Sequence, residues 1–247
     1  NNIRMKKYII TISAFVGLLF IAGCQDIDLL PKDNLSDPQF WKSPSDFMKA
    51  ANLLYSRMES FGEKDSNSDI SYGENRNTES GGSYIAPNSE DDWNHRFTDL
   101  RNCNVIIKNA ETYSGDLAGI EHYVAEARFF RAYTLWRLML RYSDVPIITK
   151  VLGTDSPELY ASRDPQEKVE DYILKELEEI YLKLPLQSQL KSDELGRITQ
   201  GAALALKARV ALFAGTWAKY HKHRADNQQL LDQAIKAADL IMKSNEY

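Results

Sequence analysis

The sequence has little of what several large classes of protein require. It contains 2 cysteines, so at most one disulfide can form and a disulfide scaffold is excluded. Its 12 glycines and 8 prolines in 247 residues exclude collagen-like and low-complexity chains. The formal net charge is −5, whereas nucleic-acid binding needs a clustered basic surface. What remains is a globular protein of one domain, or two small ones, with a sizeable core.

Sequence motifs of the common catalytic sites are also missing. There is no glycine-rich phosphate loop, no HExxH zinc motif and no GxSxG nucleophile elbow. Carboxylates are plentiful, but a glycosidase needs two of them at a fixed separation. Adjacent acids such as Asp91 and Asp92 are more simply interpreted as helix-start charges. We therefore predict a protein that is not an enzyme and that has no cofactor and no metal site.

The N-terminus has the pattern of an export signal. Read from Met5, the chain begins with Lys6 and Lys7 and continues as an apolar run from Tyr8 to Ala22. This run is shorter than the roughly 20 residues that a transmembrane helix needs, and it fits the core of a signal peptide. The tetrapeptide Ile21-Ala22-Gly23-Cys24 resembles the bacterial lipobox, in which small residues precede the cysteine that receives lipid.

This pattern predicts a division of the chain into three parts. Residues 1–23 are a signal peptide, residues 24–40 are a tether anchored in a lipid bilayer through Cys24, and residues 41–247 are a helical domain. An ordinary secretory signal or an uncleaved anchor is the alternative. With Cys24 carrying lipid, Cys103 is the other cysteine, and we predict that it is a small buried apolar residue.

Apolar residues recur at helical spacing through the rest of the chain and predict an all-α fold. Residues 164–167 (Asp-Pro-Gln-Glu) indicate a capping box with proline as the first helical residue. In the last helix, Leu231, Ala234, Ile235, Ala238 and Ile241 are predicted to face inward. The expected arrangement is one of irregular, repeat-like helical hairpins that leaves the last helix without a partner; tetratricopeptide repeats use such hairpins, but the spacing here is not their regular period of about 34 residues. The predicted helices are 44–58, 90–113 paired with 120–142, 165–183 paired with 199–217, and the unpaired 228–243.

A polar segment of residues 61–88 interrupts the helices and is the first candidate for a binding site. A loop of this length inside a domain is usually functional or disordered. Sugars stack their C–H faces on aromatic rings and hydrogen-bond to polar side chains, so the composition here suits carbohydrate. The alternative is a structural loop, with Trp93 as the core anchor of the helix that follows. The candidate ligand-binding residues are Tyr72, Asn75, Arg76, Tyr84 and Trp93.

Several segments in order along the chain resemble the SusD/RagB family of outer-membrane nutrient-binding lipoproteins of Bacteroidetes. Two residues depart from the family pattern: Ser143 and Asn245 each stand where glycine is usual, and asparagine tolerates a left-handed backbone. The matching segments are Cys24, Phe40-Trp41, Trp93 with Asn104, residues 126–133 (EARFFRAY), residues 141–147 (RYSDVPI), Ile173-Leu174 with Leu177, Leu184-Pro185, residues 201–210 (GAALALKARV), Ala234, Ala237-Ala238 and Tyr247.

The resemblance implies a function that the residues alone do not. Members of the family capture glycans at the cell surface and cover a TonB-dependent transporter of the SusC type, and they are not enzymes. Their helical scaffold carries the binding site on variable loops. Glu126, Arg128 and Arg131 are expected to be ion-paired scaffold residues, and Asp144 and Pro146 belong to the family's turn motif.

The resemblance also sets the expected location and the open alternatives. We expect a lipid-anchored protein at the outer membrane that faces the cell exterior, and a chain that corresponds to the N-terminal portion of the family with the C-terminal part missing. We expect an oligosaccharide ligand and a SusC-like transporter as partner. The alternatives are a peptide-binding member of the same family and a helical scaffold that docks only a protein partner.

Overall fold

The computed structural model describes residues 40–58, 78 and 81–247. All described residues belong to one compact unit, Pro38–Tyr247. The predicted signal peptide, the predicted lipidation residue Cys24 and most of the long polar loop lie outside the described residues. The division into signal peptide, tether and domain therefore stays a prediction.

Six α-helices make up the described part of the chain, which confirms the all-α prediction. An isolated antiparallel bridge joins Val145 and Asp164, and the described residues form no strand. None of the described helices is both long and apolar enough to cross a bilayer. The helices are α1 (Pro44–Tyr55), α2 (Asp91–Thr112), α3 (Leu117–Tyr142), α4 (Gln166–Ile180), α5 (Gln200–His221) and α6 (Asn227–Ser244).

Helix α3 is the centre of the domain. It packs against α1, α2 and α4, so its side chains are covered on several sides. Phe130, Leu135 and Leu138 are almost completely buried along it, and Cys103 of α2 is also buried. The free Cys103 is thus the small apolar residue that the sequence predicts, and burial raises the pKa of its thiol, which keeps it protonated.

The prediction that the last helix lacks a partner is wrong. Helix α6 packs along α5, where alanine and glycine let the two backbones approach closely. A Cβ at Gly215 would lie 2.9 Å from Cγ of Leu231, so only glycine fits there without displacing that side chain. The buried residues of α6 are Leu230, Ala234 and Ala237, and Ile235, which was predicted to face inward, is 66% exposed. The side of α6 that is buried is therefore determined by the small residues of α5, and not by the longest apolar side chains of α6.

The predicted capping box at residues 164–167 is also wrong. Helix α4 begins at Gln166, and no side chain of its own N-cap residue bonds to it. The backbone N–H of Gln166 donates instead to Oδ1 of Asp144 at 2.9 Å. Asp164 accepts the backbone N–H of Ile147 at 2.9 Å, so its carboxylate is already engaged. The two aspartates connect the turn after α3 to the start of α4 through these hydrogen bonds. The partners are about 20 residues apart, so the local sequence does not predict the contacts.

Two residues that replace glycine in the family pattern both adopt a positive φ. Asn245 ends α6 in the left-handed conformation with φ 54°, as the sequence predicts. Ser143 follows α3 with φ 60° and ψ −93°, a combination that costs less for glycine. Its hydroxyl donates to Oε1 of Gln166 at 3.0 Å. The turn after α3 therefore keeps its shape without glycine.

Candidate functional site

A cleft of about 910 Å³ lies between the segment that leads into α2 and the end of α3. It contains two of the five predicted ligand-binding residues, Tyr84 and Trp93. The other three, Tyr72, Asn75 and Arg76, lie outside the described residues, and their role stays a prediction. The cleft is lined by Tyr84, Ala86, Pro87, Asn88, Ser89, Glu90, Trp93, Asn94, Leu140, Arg141, Tyr142 and Arg163.

Trp93 lies in the first turn of α2 and is held by aromatic packing on two sides. Its ring centroid lies 4.8 Å from that of Phe97 and 4.9 Å from that of Tyr142, which meets it edge-on. The guanidinium of Arg163 lies 5.0 Å from the Trp93 ring centroid, within the range of a cation–π interaction. Trp93 is therefore both an anchor for its helix and a wall of the cleft.

Glu90 connects the two walls of the cleft and caps α2. Its Oε2 accepts the backbone N–H of Trp93 at 2.8 Å and the hydroxyl of Tyr142, and its Oε1 accepts from Arg141 at 3.1 Å. The hydrogen bond from Tyr142 holds the pKa of Glu90 below its usual range. Burial, together with the Glu90 carboxylate, raises the pKa of Tyr142 to about 12. At neutral pH the cleft thus holds a compensated carboxylate beside a neutral phenol.

A second cavity of about 450 Å³, here called the side pocket, adjoins the cleft. Trp93 and Arg163 line both cavities, so this pair separates them. The loop between α3 and α4 supplies most of the remaining lining. The side pocket is lined by Trp93, Phe97, Arg101, Pro146, Ile148, Lys150, Leu152, Glu158, Leu159, Ala161 and Arg163.

A buried polar network holds that loop in place. Asn104 on α2 donates to the backbone oxygens of Ile148 at 3.0 Å and Lys150 at 3.3 Å. Its own side-chain oxygen accepts from Nη1 of Arg131 at 3.0 Å, and Nη1 of Arg131 also lies 3.3 Å from the backbone oxygen of Thr149. These contacts satisfy backbone groups that no strand or helix would pair. Arg131 and Asn104 therefore position the wall of the side pocket from behind.

The three residues expected to form scaffold ion pairs all do so within the domain. Arg128 and Arg131 share the carboxylate of Glu176, each with an N–O distance of 2.6 Å. Burial opposes ionisation of Glu176, but the two guanidinium groups together hold its pKa below the usual value. Glu126 is 0% exposed, and its two oxygens accept from Nε and Nη2 of Arg197, each at 2.9 Å.

Sequence reasoning missed two cleft residues that the fold brings to Trp93. Arg163 lies at the end of the α3–α4 loop, and Tyr142 is the last residue of α3. Arg163 carries no local signal, because its role depends on how the loop folds back on α2, and Tyr142 is marked only as part of the motif at residues 141–147. Pro146, named only as a motif residue, lines the side pocket.

Comparison with known proteins places the chain in a family. The family described as "Starch-binding associating with outer membrane", SusD-like, has a model that matches residues 39–212. The chain belongs to this SusD-like family. The matched span includes the described cleft, the side pocket and the ion-pair network.

Individual relatives agree with the SusD-like assignment. The chain is 28% identical over 191 residues to SusD-like protein P2 of Formosa agariphila, covering 70% of this chain and 37% of that protein. A SusD-like protein of Bacteroides fragilis superposes with a TM-score of 0.71 at 25% identity, over 87% of this chain and 41% of the other.

A third relative supports the fold alone. A laminarin-binding SusD-like protein superposes with a TM-score of 0.62 at 20% identity, over 81% of this chain and 44% of the other. The chain therefore spans less than half the length of each of these relatives.

Proposed function

We propose that this SusD-like chain binds oligosaccharide in the cleft between α2 and α3, without catalysing a reaction on it. The observation that carries the proposal is the meeting of Tyr84 and Trp93 in one cleft of the domain. Tyr84 is 49% exposed, so much of its ring is open to a ligand. A pyranose presents a C–H face that stacks on such rings, in the way that apolar surface packs on aromatics.

The polar rim of the cleft suits the hydroxyl groups of a sugar. Asn88 and Asn94 each carry an amide that both donates and accepts hydrogen bonds. Glu90 is ionised and is already bonded to Tyr142 and Arg141, so it adds no uncompensated charge. This combination of ring faces and neutral polar groups favours carbohydrate over a strongly apolar ligand.

We expect Tyr84→Ala to weaken oligosaccharide binding about tenfold, because one stacking ring is removed from the cleft. The measurement is calorimetry of the purified full chain with maltooligosaccharides and laminarin oligosaccharides. Tyr160→Ala is the matched control, since Tyr160 is 88% exposed and lines neither cavity. Binding that is unaffected by Tyr84→Ala would place the ligand elsewhere. Binding of peptides in place of all glycans would favour the peptide-binding alternative.

The proposal extends to delivery at the outer membrane. The protein would be anchored through Cys24 in the outer membrane, face the cell exterior and pass oligosaccharide to a SusC-like TonB-dependent transporter. Family membership and the lipobox-like tetrapeptide at residues 21–24 support this part.

We expect a TonB-dependent transporter to co-purify with the tagged protein from detergent-solubilised outer membranes, identified by mass spectrometry. Cys24→Ala should move the protein out of the membrane fraction, because the acyl chains that anchor it are lost. A variant that stays in the membrane fraction would contradict the anchor. Recovery of the intact protein without any such transporter would contradict the proposed delivery of oligosaccharide to a transporter, but it would not contradict glycan binding.

A further inference from the structure

The side pocket concentrates positive charge in a chain that is acidic overall. Its charged lining residues are Arg101, Lys150, Arg163 and Glu158, three cations and one anion. The whole chain has 30 lysine and arginine residues against 35 aspartate and glutamate residues. The side pocket therefore has an excess of cationic residues, whereas the whole chain has an excess of acidic ones.

Within the part of the chain that the structure describes, one of the three cations has its charge neutralised by a carboxylate. Lys150 pairs with Glu158 at 2.5 Å, and the hydrogen bond from Lys150 lowers the pKa of the Glu158 carboxyl, so this carboxylate stays ionised. The guanidinium of Arg101 donates to the backbone oxygen of Leu152 at 2.7 Å, which is a neutral acceptor. Arg163 lies over the ring of Trp93. Within the described residues neither arginine meets a carboxylate.

The rest of the side pocket is apolar and suits the C–H face of a sugar ring. Trp93, Phe97, Ile148, Leu152 and Leu159 contribute this surface. An inorganic anion would gain nothing from such walls, whereas a sugar that carries an acidic group would use both the walls and the arginines. A guanidinium can also hold a carboxylate or sulfate through two parallel hydrogen bonds.

We infer that the ligand is an acidic oligosaccharide, with a carboxylate or sulfate ester held in the side pocket by Arg101 and Arg163. The inference rests on the proposed function, because the neighbouring sugars of the same oligosaccharide would occupy the cleft on the other side of Trp93. Because Trp93 and Arg163 line both cavities, one oligosaccharide can extend from the side pocket into the cleft. The acidic group thereby becomes the feature that selects one glycan over a neutral one.

The test compares ligands that share a backbone and differ only in charge. Calorimetry of the purified full chain with oligogalacturonate and with its methyl ester tests the carboxylate, and sulfated and desulfated galactan oligosaccharides test the sulfate ester. We expect one acidic form to bind about tenfold more tightly than its uncharged counterpart. The advantage should shrink in 0.5 M salt, where charges are screened within about 4 Å.

Variants assign the effect to the two arginines. Arg101→Gln and Arg163→Gln should each weaken binding of the acidic form about tenfold, and Arg101→Gln, which lies outside the cleft, should leave binding of the uncharged form within about twofold. Arg101→Lys and Arg163→Lys, which keep the charge, should recover part of the loss. Arg209→Gln removes the same charge from α5, away from both cavities, and should change nothing.

The outcomes separate this inference from the proposed function. Equal binding of acidic and uncharged forms, with a loss on Tyr84→Ala, would overturn the acidic ligand and keep the cleft as a glycan site. A loss with Arg209→Gln as large as with Arg101→Gln would also overturn it, because the effect would be one of net charge. No binding of any glycan, neutral or acidic, would overturn both.

Discussion

Arg197→Met is expected to lower the free energy of unfolding by about 3–5 kcal/mol at pH 7, the usual cost of removing one member of a buried ion pair. Glu126 is 0% exposed, and both of its oxygens accept hydrogen bonds from this guanidinium. The same side chain donates to Asn52 of α1 at 2.7 Å and lies 5.0 Å from the ring centroid of Tyr123. Loss of Arg197 would leave the buried carboxylate of Glu126, a residue of α3, without its cation.

The loss should depend on pH with a definite sign. Burial already raises the pKa of Glu126, and removing Arg197 takes away the main interaction that lowers it. A carboxyl whose folded-state pKa lies above its unfolded value stabilises the fold most when it is protonated. The variant should therefore gain stability as the pH falls from neutral towards the unfolded pKa near 4.5, and lose it again as the pH rises.

Urea unfolding between pH 4.5 and pH 8 measures this effect. Arg209→Met is the control, because it makes the same substitution at an exposed site and should cost less than about 0.5 kcal/mol. The double variant Glu126→Leu with Arg197→Met should recover much of the loss, because a hydrophobic pair tolerates burial. If Arg197→Met alone had wild-type stability at pH 7, burial of the Glu126 carboxylate would not require Arg197.

Glu176→Gln is expected to destabilise the protein by about 3 kcal/mol at pH 7, because two guanidinium groups lose their shared carboxylate. Arg131 is 7% exposed and Glu176 is 8% exposed, so water cannot replace the lost partner. Arg131 also donates to Asn104, which holds the backbone of the α3–α4 loop. The variant should therefore loosen the wall of the side pocket as well as the helix packing.

The pH dependence of this second effect lies in a different window. Arg128 and Arg131 keep the folded-state pKa of Glu176 below its usual value. Such a group stabilises the fold above the unfolded pKa near 4.5, and the contribution is lost as the pH falls through the folded value. The wild type should thus lose its advantage over Glu176→Gln only in acid.

Thermal or urea unfolding from pH 3 to pH 7 tests the second effect. Glu179→Gln is a closely matched control: Glu179 also pairs with Arg128, but it is 44% exposed, and loss of such a pair costs about 1 kcal/mol or less. Equal losses in the two variants would contradict the role given to burial. A Glu176→Gln loss that persists unchanged at pH 3 would contradict the ionised state of Glu176.

The helices of this fold were predictable because each has its own apolar period and start signals. The six predicted segments correspond to α1–α6, with ends that shift by a few residues. Their pairing was less predictable, and α6 was wrongly left without a partner. The apolar periodicity of a helix predicts that one of its faces is buried, but it does not predict which helix covers that face. For α6 this is determined by its close approach to α5 at Gly215.

The site was predictable only where its chemistry is local. Tyr84 and Trp93 stand out as aromatic residues at the border of a long polar loop, and the cleft brings them together. Arg163, about 70 residues after Trp93 along the chain, carries no such signal. Arg163 lies over the Trp93 ring at the end of the α3–α4 loop, and Asn104 and Arg131 hold residues 148–150 of that loop.

The all-α class, the helical segments and the resemblance to SusD-like proteins follow from the sequence, because periodicity and motif residues are properties of neighbouring positions. Which charged side chains share a partner depends on the tertiary structure. Glu176 pairs with two arginines and Glu126 with a third, while Arg101 and Arg163, which line the side pocket, pair with no carboxylate among the described residues. Coulombic interactions act over a few ångströms of space, and residues far apart in sequence meet there only after folding.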